Sequence, residues 1–135
     1  MKKALDIAIS FGHSLDQDDF STTLKLLAKD CRYDMGGSIL NGPEAIVNSY
    51  SENMKEGRAK FDLLEWGKST VEDLGDGNYE VFFTDFLGHR GIEHIHRCKQ
   101  RLHVNADLKI VSIDHINLPG EPEKLAAFKQ QVGLS

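Results

Sequence analysis

Two hydrophobic periods divide this chain near Lys60. Before that point apolar residues recur at helical spacing. Ala4, Ala8, Phe11 and Leu15 make one stripe; Phe20, Leu24, Leu27 and Ala28 make a second. After it, side chains alternate with period two between tight-turn signals, as strands do. Helices first and strands afterwards predict an α+β fold, with N-terminal helices packed on a curved antiparallel β-sheet that encloses a pocket. The 135 residues suit one domain spanning 1–135, long enough to bury a core.

Local signals place the boundaries. The acidic turn Asp16-Gln17-Asp18-Asp19 stops the first helix, and Asp18 or Asp19 can N-cap the second. A short strand, Cys31 to Met35, follows. Gly42-Pro43-Glu44 opens a third helix with Pro43 at N1, where its missing N–H has no helical partner. Ala45, Ile46, Ser49, Tyr50 and Asn53 carry its inner face, and Gly57 suits its C-terminal end. Hairpin turns are expected at Gly75-Asp76-Gly77-Asn78, between Gly88 and Gly91, and at Asn105 to Leu108. Pro119-Gly120 ends the last strand, and a C-terminal helix is expected from Glu121 to Gln131.

Composition narrows the partners. Sixteen basic against twenty-one acidic side chains give a net charge of -5, the wrong sign for a nucleic-acid surface. Arg97, Lys99 and Arg101 alternate along one strand and read as a solvated or subunit-facing edge. The segment MKKALDIAIS lacks the apolar run and cleavage site of a leader, and no stretch is long enough to span a membrane. Cys31 and Cys98, with no CxxC, are expected to be reduced thiols without a disulfide between them, in a cytoplasmic protein.

Parity sorts the strand residues onto faces. From Ile92 to Val104 the even positions are the less charged set, so His94, His96, Cys98 and Gln100 are expected inward. Val81, Phe83, Asp85 and Leu87 share one face of the preceding strand; Val111, Ile113, His115 and Asn117 share one face of the last. If partners across the turn near Arg90 sum to 181, Asp85 lies opposite His96; a sum of 179 sets it opposite His94. If Asn105 pairs with Leu108, Cys98 lies opposite His115 and His96 opposite Asn117. Opposed side chains on one face come within contact range, and a carboxylate beside an imidazole raises its basicity. His96 is thus a candidate general base oriented by Asp85, with His115 or His94 as the acid. A buried His–Asp pair also serves as a plain structural hydrogen bond. His94-x-His96 with His115 and Asp85 would equally supply nitrogen and oxygen ligands to a metal, although the favoured site has none.

The order of elements and three motifs resemble the NTF2-like superfamily, its SnoaL-like and ketosteroid-isomerase-like cone folds. The motifs are L-D-x-x-D-F with L-L-A-x-D (Leu15 to Asp30), Y-D-M-G-G through L-N-G-P-E-A-I (Tyr33 to Ile46), and I-V-S-I-D-H-I-N-L-P-G-E (Ile110 to Glu121). The resemblance covers nearly the whole chain and identifies a fold better than a reaction. It implies a homodimer, with Ile95, Arg97, Arg101, Ile110 and Ile116 on the second sheet face. It also implies a pocket for a small hydrophobic, carbonyl-bearing molecule. Isomerisation, dehydration or cyclisation by acid–base chemistry without a cofactor would follow, or ligand binding without catalysis. The expected walls are Tyr33, Asp34, Met35, Tyr50, Trp66, Phe83, Cys98, Gln100 and Asn117. A gapless alignment puts Met35 at the isomerase's general-base position and one gap restores Asp34; both stay open. Steroid isomerisation itself is excluded by Phe11 and Gln100, which stand where that enzyme has its oxyanion-hole tyrosine and protonated aspartate.

Overall fold

The computed structural model describes residues 3–134, so the first two residues of the segment weighed as a leader lie outside it. In chain order it contains α1 (Ala4–Asp16), α2 (Phe20–Leu26), β1 (Leu27–Asp34), β2 (Ile39–Asn41), α3 (Pro43–Lys60), β3 (Leu63–Trp66), β4 (Thr70–Gly75), β5 (Asn78–His89), β6 (Ile92–Val104), β7 (Ile110–Asn117) and α4 (Glu121–Gln131). The sheet order is β2-β1-β7-β6-β5-β3, with β4 pairing the first half of β5. Helices pack on one face of this sheet, in an α+β arrangement.

Pairing is antiparallel except between β1 and β7, which run parallel. A hairpin forces antiparallel pairing, whereas parallel strands need a long connection. Most of the chain lies between β1 and β7, so no turn dictates their relative direction.

The helices form where their apolar stripes predict, with shifts of end and phase. Ile7, Ala8 and Phe11 bury one face of α1. Asp19 caps α2, its Oδ1 accepting from the Thr22 N–H at 3.3 Å. The second helix stops at Leu26, because Leu27 enters β1 and pairs with Ile110. The inward residues of α2 are therefore Thr23 and Leu26, and Leu24 is 36% exposed. Thr23 Oγ1 lies 2.7 Å from Ser14 Oγ, fastening α2 to α1. Pro43 opens α3, which continues through Gly57 to Lys60. At Gly57 the helix passes close to β3: a Cβ there would lie 2.5 Å from Leu64 Cδ2.

Turn chemistry sets the strand registers. Arg90 (φ 52°) and Gly91 (φ 80°) are both left-handed and make a two-residue loop, which pairs His89 with Ile92. Partners then sum to 181 along all of β5 and β6. The β6–β7 register differs from the expected one. Gln100, not Cys98, lies opposite His115, and Cys98 lies opposite Asn117. The Asn105 N–H reaches the Lys109 carbonyl at 2.9 Å, so the loop is longer than Asn105 to Leu108. An extra residue, Val111, then bulges between the Val104–Ile110 and His103–Ser112 pairs. The bulge turns Ile110 into the core, where it is fully buried beside Ile113, rather than onto the second face.

The main core lies between α1, α3 and the sheet around Phe11, Ile46, Leu102 and Ile113. A smaller cluster of Phe61, Leu87, Phe128 and Val132 seats α4 on the far end of β5 and β6. The β4–β5 turn yields a prediction. Gly75 and Gly77 both have positive φ, but only at Gly77 would a Cβ meet backbone, 2.6 Å from the Val104 carbonyl oxygen. In urea unfolding Gly77→Ala should cost about 2–3 kcal/mol, and Gly75→Ala about 1 kcal/mol.

Candidate functional site

The inner face of β5 and β6 carries a row of side chains under the helices. Asp85 pairs with His96, Phe83 with Cys98, and Val81 with Gln100. Leu87 pairs with His94 at the α4 end. Parity therefore places Asp85 and the two histidines as read from the sequence.

An inner cavity of about 140 Å³ lies over this row. Phe83, Asp85, Cys98 and Gln100 form its floor; Tyr50, Asn53 and Met54 of α3, Leu15 of α1 and Phe20 of α2 form its walls. Trp66, Asp16 and Asp18 stand at its edge. Each of these three is held in place. Asp16 Oδ2 accepts from both the N–H and the hydroxyl of Ser69 at 2.8 Å. Asp18, left-handed at φ 55°, accepts from Trp66 Nε1 at 2.8 Å and pairs with Arg58 at 2.8 Å. The Arg58 guanidinium also sits 5.8 Å from the Trp66 ring centroid. The acidic turn is thus a clasp as well as a helix stop.

Gln100 is the polar hub beneath the cavity. Its Oε1 accepts from the Tyr50 hydroxyl at 2.7 Å, and its Nε2 donates to the Tyr33 hydroxyl at 3.1 Å. The same nitrogen lies 3.4 Å from His115 Nδ1, while His115 Nε2 lies 3.1 Å from Asn117 Oδ1. Both contacts fit the tautomer that carries its proton on Nε2. Tyr33 and Tyr50 stack at 5.3 Å. Burial pushes Tyr33 up to about 12 and Tyr50 well above the usual phenol range, so both remain hydrogen-bond donors at neutral pH.

Asp85 differs from these satisfied groups. It faces the cavity and, among the described residues, no hydrogen bond or ion pair engages it; burial alone pushes its carboxyl up to about 6. Its cross-strand neighbour His96 is held below the usual imidazole range by burial, partly opposed by the nearby Glu121 charge. His96 Nδ1 and His94 Nε2 are buried without a hydrogen-bond partner. The expected Asp85–His96 hydrogen bond is thus not made, although the two stand opposite one another.

The other expected site residues divide. Tyr50, Trp66, Phe83, Cys98 and Gln100 line the inner cavity. Tyr33 supports it through Gln100. Met35 packs on the core, its sulfur accepting from Ser49 at 3.8 Å. Asp34 points to the opposite sheet face, where it accepts from the Gly36 and Gly37 N–H groups and lies 3.8 Å from Arg32. This alternation along β1 turns Tyr33 inward and removes Asp34 from the cavity. His94 stacks on Phe128 of α4 at 5.1 Å. His96 and Asn117 line a second, outer cavity beneath α4. Among the described residues no cluster of three or more His, Cys, Asp or Glu is arranged to hold a metal. Cys31 and Cys98 are free buried thiols, both pushed up to about 12 by burial. Leu15, Phe20 and Met54 were not separable by pattern from ordinary core, and nothing in the acidic turn marked it as a cavity edge.

Two members of the basic row on the outer face hold a carboxylate. Lys99 and Arg101 brace the buried Glu80 carboxylate at 3.1 Å and 2.7 Å, and these partners hold it below the usual carboxylate range.

Asp85 carries a pH prediction. A carboxyl raised to about 6 on folding binds more protons in the native state between pH 4 and 6, so its contribution falls as pH rises through that window. Above it the charged carboxylate destabilises the fold by up to about 3 kcal/mol. Asp85→Asn should therefore raise stability at pH 7, by that amount less the cost of the buried amide, and give no gain at pH 3.5. Urea midpoints at the two pH values test this; an equal loss at both would mean that the carboxylate has a partner.

Comparison with known proteins supports the architecture. No protein-family model and no curated protein sequence matches the chain. Solved structures do. A candidate polyketide cyclase from Xanthomonas campestris pv. campestris superposes with TM-score 0.70 at 15% identity, over 96% of both chains. An NTF2-like protein of unknown function from Burkholderia pseudomallei K96243 gives 0.69 at 10% identity, over 98% of both chains. Rv0760c from Mycobacterium tuberculosis, in complex with estradiol-17beta-hemisuccinate, gives 0.62 at 17% identity, over 87% of this chain and 95% of that one. The fold of this chain is the NTF2-like fold.

Proposed function

We propose that this chain, an NTF2-like fold with a carboxyl standing free in an apolar cavity, binds a small hydrophobic carbonyl compound and acts on it by acid–base chemistry. The observation that carries the reading is Asp85: half-buried, unpartnered among the described residues, facing the cavity, with its carboxyl pushed up to about 6. A base is most effective when its pKa approaches the working pH, and burial brings this carboxylate closer to it. Asp85 would take a proton from the carbon beside the carbonyl. The developing enolate oxygen would receive a hydrogen bond from Tyr50, a cavity-lining donor that stays protonated. Returning the proton to another carbon is isomerisation; expelling hydroxide is dehydration; attack of the enolate on a second carbonyl is cyclisation. None needs a cofactor. His96, directly opposite Asp85, is the group able to share its proton, and His94 and His115 support that ring's surroundings.

One observation favours a binder without catalysis: the Tyr50 hydroxyl is already committed to Gln100 at 2.7 Å. A panel of aromatic and alicyclic ketones separates the readings. The enzyme reading expects turnover with a kcat limb near pH 6, and Asp85→Asn lowering kcat by about 10²–10⁴ with ligand affinity retained. Binding of the same compounds without turnover at any pH would leave the binding reading alone.

The second sheet face supports a homodimer. Phe86 and Ile95 are cross-strand partners there, 38% and 43% exposed, with Leu63 beside them. An antiparallel sheet with one face on its helices can give the other to a partner. Sedimentation at micromolar concentration should show a dimer, and Ile95→Glu should yield a folded monomer. A wild-type monomer removes this part of the reading. Cytoplasmic residence belongs to the same proposal; it suits two free thiols, Cys31 and Cys98. Among the described residues no helix is long and apolar enough to cross a membrane.

A further inference from the structure

The inner cavity is small. A space of roughly 150 Å³ accommodates about one benzene ring, so about 140 Å³ is ring-sized. The outer cavity beneath α4 is about 550 Å³, within the range usual for small-molecule sites.

The two cavities adjoin along two cross-strand pairs. Asp85 lines the inner cavity and its cross-strand partner His96 lines the outer one. Cys98 lines the inner cavity and its partner Asn117 the outer one. Directly opposed side chains on a shared face have Cβ atoms about 4.5–5.5 Å apart. Two successive residue pairs therefore straddle the boundary. On this boundary the ring atom His96 Nδ1 is buried with no hydrogen-bond partner.

Charge differs between the two spaces. The inner cavity is lined by the carboxylates Asp16, Asp18 and Asp85 and by no cation. The outer cavity is lined by Lys129 and by no carboxylate. Among the described residues Lys129 has no ion-pair partner. Asn117 spends its oxygen on His115, which leaves its amide nitrogen to donate. The roof is fastened: Glu121 accepts from the Arg97 N–H at 2.8 Å, and Phe128 stacks on His94.

We propose that the two cavities take one ligand, an amphipathic carboxylic acid whose apolar ring sits against Asp85 while its carboxylate sits on Lys129 and Asn117 beneath α4. The inference rests on the small-molecule reading above and names the substrate class. The acid end is placed outward because the carboxylates that line the inner space, Asp85 and at its edge Asp16 and the Arg58-paired Asp18, disfavour it, and a lysine lines the outer one. The ring end is placed inward because the inner space is ring-sized and largely apolar. His96 then stands beside the linker that joins the two ends.

The test uses full-length protein and defined probes. Acetophenone, followed by fluorescence of the single tryptophan, Trp66, reports the inner cavity alone. Calorimetry then compares 4-phenylbutanoic, 6-phenylhexanoic and 8-phenyloctanoic acids with their methyl esters. One chain length should stand out, and its acid should bind about tenfold tighter than its ester. Lys129→Ala should bring that acid down to the ester's affinity without changing ester or acetophenone binding, and Lys129→Arg should restore it. Ala126→Trp, which fills the outer cavity, should abolish the chain-length preference and spare acetophenone. Equal affinity of acid and ester overturns the proposal, as does a Lys129→Ala variant that leaves the acid unaffected or weakens acid and ester alike. Failure of acetophenone to bind would overturn the pocket reading, and this inference with it. Acetophenone binding without an acid preference overturns this inference only.

Discussion

The unbroken antiparallel ladder between β5 and β6, from the Asn78–His103 pair to the His89–Ile92 pair, is the constraint on which the candidate site depends. It is set by two adjacent left-handed residues, Arg90 and Gly91, whose loop twist matches that of the strands. A slip of one residue would send Asp85 and Phe83 to the opposite face from His96 and Cys98. With the register held, the inner face presents Asp85, His96, Cys98 and Gln100 together, and α1, α3 and α4 have one surface to cover. The outer face takes the charges, including Glu80 with Lys99 and Arg101.

Around this row the structure treats polar groups in two ways. Gln100, Tyr33, Tyr50 and His115 satisfy one another, so their burial costs little and they hold the floor rigid. Asp85 is left without a partner, and so is one ring nitrogen each of His94 and His96. Unsatisfied buried groups destabilise a fold. Of these the two ring nitrogens are buried, whereas Asp85 is half-buried and faces the inner cavity, and His96 lines the outer one. Burial raises the Asp85 carboxyl and lowers the His96 imidazole, bringing two neighbouring groups closer in basicity.

The helix α4 converts this row into two spaces. Where β7 stops pairing at Asn117, the Arg97 N–H would lack a ladder partner. The Glu121 carboxylate takes it at 2.8 Å. That bond, with Phe128 on His94, sets the helix across the end of β6 and leaves a space between Lys129 and His96. At the opposite edge the Asp18–Trp66–Arg58 clasp keeps the inner cavity's rim in shape.

The sequence alone determined the layout of helices before strands and the face shared by Asp85, His94, His96, Cys98 and Gln100, and it narrowed the partner of Asp85 to His96 or His94. These are local properties: period, parity and the chemistry of a two-residue turn. Only the tertiary structure decided the rest. It turned Asp34 outward and Tyr33 inward, because the face of β1 depends on its pairing with β7, most of a chain length away. It buried Ile110, because a bulge at Val111 breaks parity without a marker that pattern alone can read. It brought the acidic turn to the edge of the cavity through bonds to Trp66 and Ser69, and Lys129 to the side of His96 through the docking of α4. Each of these depends on contacts between residues far apart in the chain, and such contacts are chosen by packing rather than by local propensity.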